Sequence, residues 1–255
     1  MQIESTRAII TGGASGLGLA VAEMVVAGGG KVALFDVNDA AGVAVVRKLG
    51  TAASFHTVDV TSEPAVAAAV AAATSAMGGL TAAINCAGIG PPRKLVGKDG
   101  PMPGDYFRKV IEVNLVGTLL VAAQAAMVMQ QNSANAGGER GVIIMTASVA
   151  AFEGQIGQVA YSASKGGLVG MTLPMARELA SSGIRVMTIA PGLFETPLLA
   201  GLPEEAKASL GKQVPFPPRL GQPSEYALFV RQIIENPMLN GETVRLDGAI
   251  RMAPR

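Results

Sequence analysis

The sequence has one cysteine, Cys86, one histidine, His56, and no tryptophan. A lone cysteine cannot close an intramolecular disulfide, which excludes a disulfide-stapled scaffold and suits a reducing, cytosol-like compartment. A lone histidine placed inside a strand-like run argues against Ser-His-Asp hydrolysis and against a His-based metal site. It also leaves Cys86 with no base to activate it, so Cys86 reads as a packed residue and not a nucleophile. Charge is scarce and balanced: 15% of residues are charged and the formal net charge is +1. Without a dense Lys/Arg block, no nucleic-acid partner is expected. Long hydrophobic runs are missing too. The longest, Leu115–Met129, carries Gln124 and is shorter than the ~20 residues of a membrane span. The start Met1-Gln2-Ile3-Glu4 lacks the basic-then-apolar pattern of a secretion signal, so a cytoplasmic location away from membranes is expected.

What is present is a chain of 255 residues, 49% apolar, with 32 glycines. Its abundant Ala and Gly read as close helix–sheet packing and a GC-rich, bacterial coding sequence. Short apolar runs alternate with helix-patterned segments, the signature of a parallel sheet with crossover helices. Strand-like runs fall at 7–11, 32–36, 54–58, 82–85, 142–146, 185–189 and 243–246. Helical patterns lie between them, at about 16–27, up to Leu49, from a Ser62 cap, from Gly104 to Gln131, 158–181 and 224–235. The stretch Gly90–Gly104 reads as a Pro/Gly/Lys-rich loop, and Gly183 as a left-handed helix stop. The expectation is an α/β fold: one domain over residues 1–255, a Rossmann-like doubly wound parallel sheet with helices on both faces. A substrate-covering lobe is expected at about 192–223.

Thr11-Gly12-Gly13-Ala14-Ser15-Gly16-Leu17-Gly18 joins the first strand to the first helix. Gly12, Gly16 and Gly18 let the backbone turn sharply and approach a pyrophosphate, with free N–H groups and a positive dipole behind them. Asp36 ends the second strand, where a carboxylate bonds a ribose 2′-hydroxyl and repels a 2′-phosphate; NAD is therefore favoured over NADP. Asp59-Val60 and Asn85-Cys86-Ala87-Gly88 follow the third and fourth strands, at the ends where open α/β sheets bind ligands.

Tyr161 and Lys165 share one helical face. An ammonium there would favour the tyrosinate and lower the phenol pKa from ~10. Such a tyrosine can take a proton from an alcohol or return it to a ketone. Ser148 can donate to the same substrate oxygen, and Asn114 can hold a water that relays protons toward Lys165.

Taken in order, Gly12-x-x-x-Gly16-x-Gly18, Asn85-x-Ala87-Gly88, Asn114, Ser148, Tyr161-x-x-x-Lys165 and Pro191-Gly192 resemble the short-chain dehydrogenase/reductases over nearly the whole chain. The resemblance implies that Tyr161 is the general acid/base, that Ser148 orients the substrate oxygen, and that Lys165 binds the nicotinamide ribose while Asn114 completes a relay. It further implies that NAD is held by the glycine loop with Ser15 and Leu17, Asp36, Asp59, Val60, the Asn85–Gly88 turn with its Cys86 and Ala87, and Pro191-Gly192. Val149–Gln155, Met171–Pro174, Ala190–Phe194, Val214–Pro217 and Leu246–Met252 resemble a narrower group that oxidises short-chain 3-hydroxyacyl-CoA, including branched forms. That group implies a homotetramer, Gln155 in the substrate pocket, and Phe194 and Thr196 at the nicotinamide end. The segments around Pro91–Gly104 and Glu195 depart from it. The alternatives are a 3-oxoacyl-carrier-protein reductase, a hydroxysteroid dehydrogenase, and a catalytically silent nucleotide-binding scaffold.

Overall fold

The computed structural model describes residues 1–196 and 204–254. Its strands are β1 (Arg7–Thr11), β2 (Lys31–Asp36), β3 (Ala53–Thr57), β4 (Ala82–Asn85), β5 (Val96–Gly97), β6 (Gly100–Pro101), β7 (Gly141–Thr146), β8 (Ile184–Pro191) and β9 (Thr243–Leu246). Seven of them form one sheet in the order β3-β2-β1-β4-β7-β8-β9, and every pairing is parallel. The order reverses between β1 and β4, where a crevice opens at the carboxyl ends of the strands. β5 and β6 form a separate antiparallel hairpin, inside the Pro/Gly/Lys-rich stretch Gly90–Gly104.

The helices are α1 (Gly16–Ala27), α2 (Asp39–Leu49), α3 (Glu63–Met77), α4 (Gly104–Ile111), α5 (Gly117–Met129), α6 (Val159–Leu179), α7 (Glu204–Gly211) and α8 (Pro223–Glu235). Strand side chains alternate between two cores, as a period of two requires. Ile9, Phe35, Ile143 and Met145 face α3, α5 and α6. Ile10, Leu34, Ile144 and Met187 face α1 and α8. Because both faces are covered, β7 and β8 are buried along their whole length, which explains their unbroken apolar runs.

Local signals explain most boundaries. Gly183 takes φ +69 after α6, as a left-handed stop should. Ser62 stands at the N-cap of α3 but makes no side-chain cap bond. Pro174 lies inside α6, where it removes one backbone donor; the residue four before it, Gly170, leaves open space.

α4 and α5 are joined by a π-helical turn, Glu112–Val116, into one helix. Taken whole, Gly104–Met129 is long and apolar enough to cross a membrane by length and composition. The expectation from Leu115–Met129 alone understated that length. In the fold, Val121, Ala122, Ala125 and Met129 of this helix are fully buried, and α5 packs on β4 and β7. It is a core helix of the sheet. The expected lobe at 192–223 contains α7, and an isolated bridge ties Phe194 to Gly221. Residues 197–203 of that lobe lie outside the described residues.

Candidate active site

Three elements meet at the carboxyl end of β7. The chain leaves β7 at Thr146 and reaches Ser148, which is extended and caps the short turn Val149–Ala151. The Ser148 Oγ accepts from the Ala150 N–H at 3.1 Å. α6 begins at Val159, so Tyr161 and Lys165 fall in its first two turns and face the sheet. Ser148 stands beside the Tyr161 phenol, close enough to favour its ionised form. Lys165 is 4% exposed, its Nζ donates to the Thr146 carbonyl at 2.7 Å, and it stands 5.7 Å from the Tyr161 ring centroid.

Burial governs the electrostatics of this cluster. It pushes the Tyr161 phenol above its ordinary 10, and Ser148 only opposes that rise. The expected lowering of the phenol by Lys165 is therefore not what the site shows: the Lys165 ammonium is directed at the Thr146 carbonyl, and loss of water around the phenolate decides the direction. Burial also brings the Lys165 amine down to about 8.

Asn114 sits fully buried in the π-helical turn, a kind of turn frequent at functional sites. Its Nδ2 donates to the Ile89 carbonyl at 2.8 Å and to Ser164 Oγ at 3.0 Å, while its Oδ1 accepts from the Ile89 N–H at 2.8 Å. Ser164 Oγ in turn donates to the Tyr161 carbonyl at 2.7 Å. The side-chain amide thus clamps the segment after β4 by bonding both the N–H and the carbonyl of Ile89. That segment runs between the candidate residues. A Cβ on Gly88 would lie 3.2 Å from Asn114 Oδ1 and 3.5 Å from Lys165 Nζ, and one on Gly90 would lie 2.7 Å from the Tyr161 ring. Thr146, Ile89 and Gly90 escape sequence reasoning because each acts through a backbone group or by close approach, and Ser164 because its hydroxyl bridges Asn114 to a backbone carbonyl. Gln155 Nε2 donates to the Ala253 carbonyl at 3.0 Å.

The nucleotide end lies across the crevice. Gly12 takes φ +63, a left-handed conformation that favours glycine. A Cβ there would meet the Ala87 N at 2.9 Å, and one on Gly18 would meet the Gly12 carbonyl oxygen at 2.4 Å. Thr11 Oγ1 accepts from the N–H groups of Cys86 and Ala87, both at 3.1 Å. Ser15 is the α1 N-cap and makes no side-chain cap bond, which leaves first-turn donors, beside Gly16 and Leu17, for an anion. The Asp36 carboxylate accepts from the Ala14 N–H at 3.1 Å and the Asn38 N–H at 3.0 Å, so it is pinned beside the glycine loop. Asp59 is exposed and accepts from the Thr61 N–H and hydroxyl at 2.9 and 2.8 Å, and Val60 is buried against Gly117.

Asn85 is 2% exposed, and both its side-chain polar atoms lack a partner. A buried amide of this kind calls for one. At the far side, the Gly192 N–H donates to the Leu246 carbonyl at 2.9 Å, Pro191 and Phe194 are buried, and Thr196 is half-buried. The Cys86 thiol packs 3.8 Å from the Tyr226 hydroxyl and 3.5 Å from Thr146 Oγ1. Burial pushes it up, away from a reactive thiolate. Free amides at α1, close glycine backbone and the orphaned Asn85 amide all fit a dinucleotide with an anionic diphosphate.

Comparison with known proteins agrees with this geometry. Residues 6–207 match the family model described as short chain dehydrogenase. The chain is 57% identical to 3-hydroxyacyl-CoA dehydrogenase type-2 of Homo sapiens over 249 residues, 97% of this chain and 95% of that protein. It is 51% identical to the Drosophila melanogaster protein of the same name, covering 99% and 100%. The crystal structure of 3-hydroxyacyl-CoA dehydrogenase type-2 from Mycobacterium avium superposes with a TM-score of 0.94 at 42% identity, covering 99% of this chain and 98% of that one. With a family model matching residues 6–207 and relatives more than 50% identical over nearly the whole chain, the chain belongs to the short chain dehydrogenase family and is an oxidoreductase that works with a nicotinamide nucleotide.

Proposed function

We propose that the enzyme interconverts a secondary alcohol and a ketone with NAD, and that its substrate is a short or branched 3-hydroxyacyl-CoA, oxidised to the 3-oxoacyl-CoA. The observation that carries the chemistry is the placing of Ser148 beside the Tyr161 phenol, with the buried Lys165 amine 5.7 Å from the ring. The substrate class rests on the names of its relatives. Bound at the crevice, the nicotinamide nucleotide supplies the hydride acceptor. Ser148 holds and polarises the substrate oxygen, and Tyr161 Oη takes the hydroxyl proton during oxidation or gives it back during reduction. Lys165 fixes the tyrosine's surroundings and meets the nicotinamide ribose, and Asn114 keeps the Gly88–Gly90 backbone in place behind them. Gln155, Phe194 and Thr196 border the acyl and nicotinamide ends. The assembly is a homotetramer, consistent with exposed Leu119 and Met127 on α5 and Leu173 on α6, surfaces suited to burial between copies.

Acetoacetyl-CoA with NADH tests the reading directly: the nicotinamide absorbance should fall rapidly. A flat trace, with turnover of an acyl-carrier-protein or steroid ketone instead, would overturn the acyl-CoA assignment. Asp36 sets a second expectation. A ribose 2′-hydroxyl gains a charge-assisted bond from it while a 2′-phosphate is repelled, so NAD should bind at least about 10-fold more tightly than NADP. Asp36→Ala should erase most of that difference, as read by fluorescence titration; equal affinities in the parent protein would remove Asp36 from this role.

A further inference from the structure

Ser148 is held by a turn whose far end is fastened to a distant part of the chain. Within the turn, Ser148 Oγ accepts from the Ala150 N–H, the Ala151 N–H donates to the Ser148 carbonyl at 3.0 Å, and the N–H groups of Phe152 and Glu153 both donate to the Val149 carbonyl, at 2.9 and 3.0 Å. Glu153 therefore closes the same turn that Ser148 opens. Its carboxylate accepts from Arg245 Nη1 at 2.7 Å, from Arg245 Nη2 at 3.0 Å and from the Met252 N–H at 3.1 Å, with Arg251 3.3 Å away. These contacts, the Arg245 bonds first, lower its pKa from the ordinary carboxylate value.

Four of the five N–H donors of Arg245 are engaged. Its Nε reaches Asp247 at 2.7 Å, Nη2 also reaches the Ile250 carbonyl at 2.9 Å, and the guanidinium lies 5.4 Å from the Phe152 ring centroid. It stands on β9 opposite Ala190 of β8, one step before the Pro191-Gly192 segment. Asp247 packs on that segment, since a Cβ on Gly192 would meet the Asp247 Cβ at 2.8 Å. The Glu153–Arg245–Asp247 chain thus links the turn that carries Ser148 to the segment after β8. Arg245 and Glu153 are only about a fifth exposed, and bidentate pairs of this kind fix geometry as well as add energy.

We propose that Glu153, gripped by Arg245, is a positioning residue that sets where Ser148 stands relative to Tyr161. The proposal deepens the functional reading and rests on it for the identity of the reaction, but not for the geometry. Two consequences separate it from mere stabilisation. Glu153→Ala and Arg245→Ala should each lower kcat about tenfold or more, because small misplacements at a reacting centre are costly, while the Kd for NAD stays within about twofold. The double variant should lose less than the product of the two single losses, since the Glu153–Arg245 pair is broken in all three. Arg245→Lys should not restore the rate, because an ammonium cannot bridge both carboxylate oxygens and Asp247 at once.

The second readout needs no substrate. Amide hydrogen exchange should quicken at Ala150, whose N–H is bonded to Ser148 Oγ, with exchange in β1 and β4 unchanged. Variants that keep the parent kcat and the parent exchange at Ala150, or that only melt earlier, would overturn the positioning role. A parent protein inert toward acetoacetyl-CoA would overturn the substrate assignment alone, and the exchange at Ala150 would still decide the role of Glu153.

Discussion

Tyr161→Phe should reduce turnover by about 10²–10⁴-fold and leave NAD binding as in the parent. The substitution removes a single oxygen, the one that Ser148 contacts, and keeps the ring against which Gly90 packs. The nucleotide contacts on α1, β2 and β4 are untouched, so the loss should fall on kcat. The phenol's environment adds a pH dependence. Because burial raises its pKa, Tyr161 stays protonated through the neutral range and is ready to give a proton to a ketone. Oxidation needs the phenolate, so kcat/KM for the alcohol should climb as pH rises toward the alkaline range, and that climb should vanish in the Phe variant. Steady-state assays in both directions, beside a binding titration with NAD, check this. Undiminished turnover would take Tyr161 out of proton transfer.

How much of this arrangement could be read in advance depends on whether the cause was local. The strand at Ala82–Asn85 and the helix at Gly16–Ala27 announce themselves, one by a short apolar run and the other by the glycines that launch it. The placing of Ser148, Tyr161 and Lys165 together follows from strand ends and helical spacing. The Val96–Pro101 hairpin does not, since two residues per strand, with Gly97, Gly100 and Pro101 among them, carry no alternation to detect. The direction of the Tyr161 shift was read wrongly because spacing reveals a neighbouring charge but not the loss of water around the phenol. Asn114 presents a further difficulty: its partners are the backbone of Ile89, 25 positions away, and no pattern of residue types marks a backbone group. Glu153 lies inside the Val149–Gln155 resemblance and Arg245, 92 positions on, inside the strand-like run 243–246, with nothing in the sequence to join them. Their pairing is a product of the β8–β9 crossover.

Lys165→Met should give an enzyme that is at least as stable as the parent and nearly inactive. The amine has an ordinary value of 10.5 and is brought down to about 8 by burial. At pH 7 both the folded and unfolded chains hold the proton, so the folded state carries the whole penalty of enclosing the ammonium, about 3 kcal/mol. Methionine has similar length, fills the same space and carries no such penalty. Against this stands the bond to the Thr146 carbonyl, whose loss costs about 1–3 kcal/mol. The balance is a thermal midpoint equal to the parent's or higher by a few degrees, at about 2–4 °C per kcal/mol for a chain of this size. The sign can be checked by varying pH. Between about 8 and 10.5 the folded parent releases the proton while the unfolded chain still keeps it, so parent stability should rise across that window. Above it, the raised phenol of Tyr161 acts in the opposite sense, because the unfolded chain then ionises first. In Lys165→Met the rise between 8 and 10.5 should disappear, while turnover falls by at least about 10²-fold for want of the cation beside Tyr161. Denaturant melts of both proteins at pH 7 and 9.5 measure it. A variant clearly less stable at pH 7 would mean that the buried ammonium supports the fold, and that the site does not hold it at a cost.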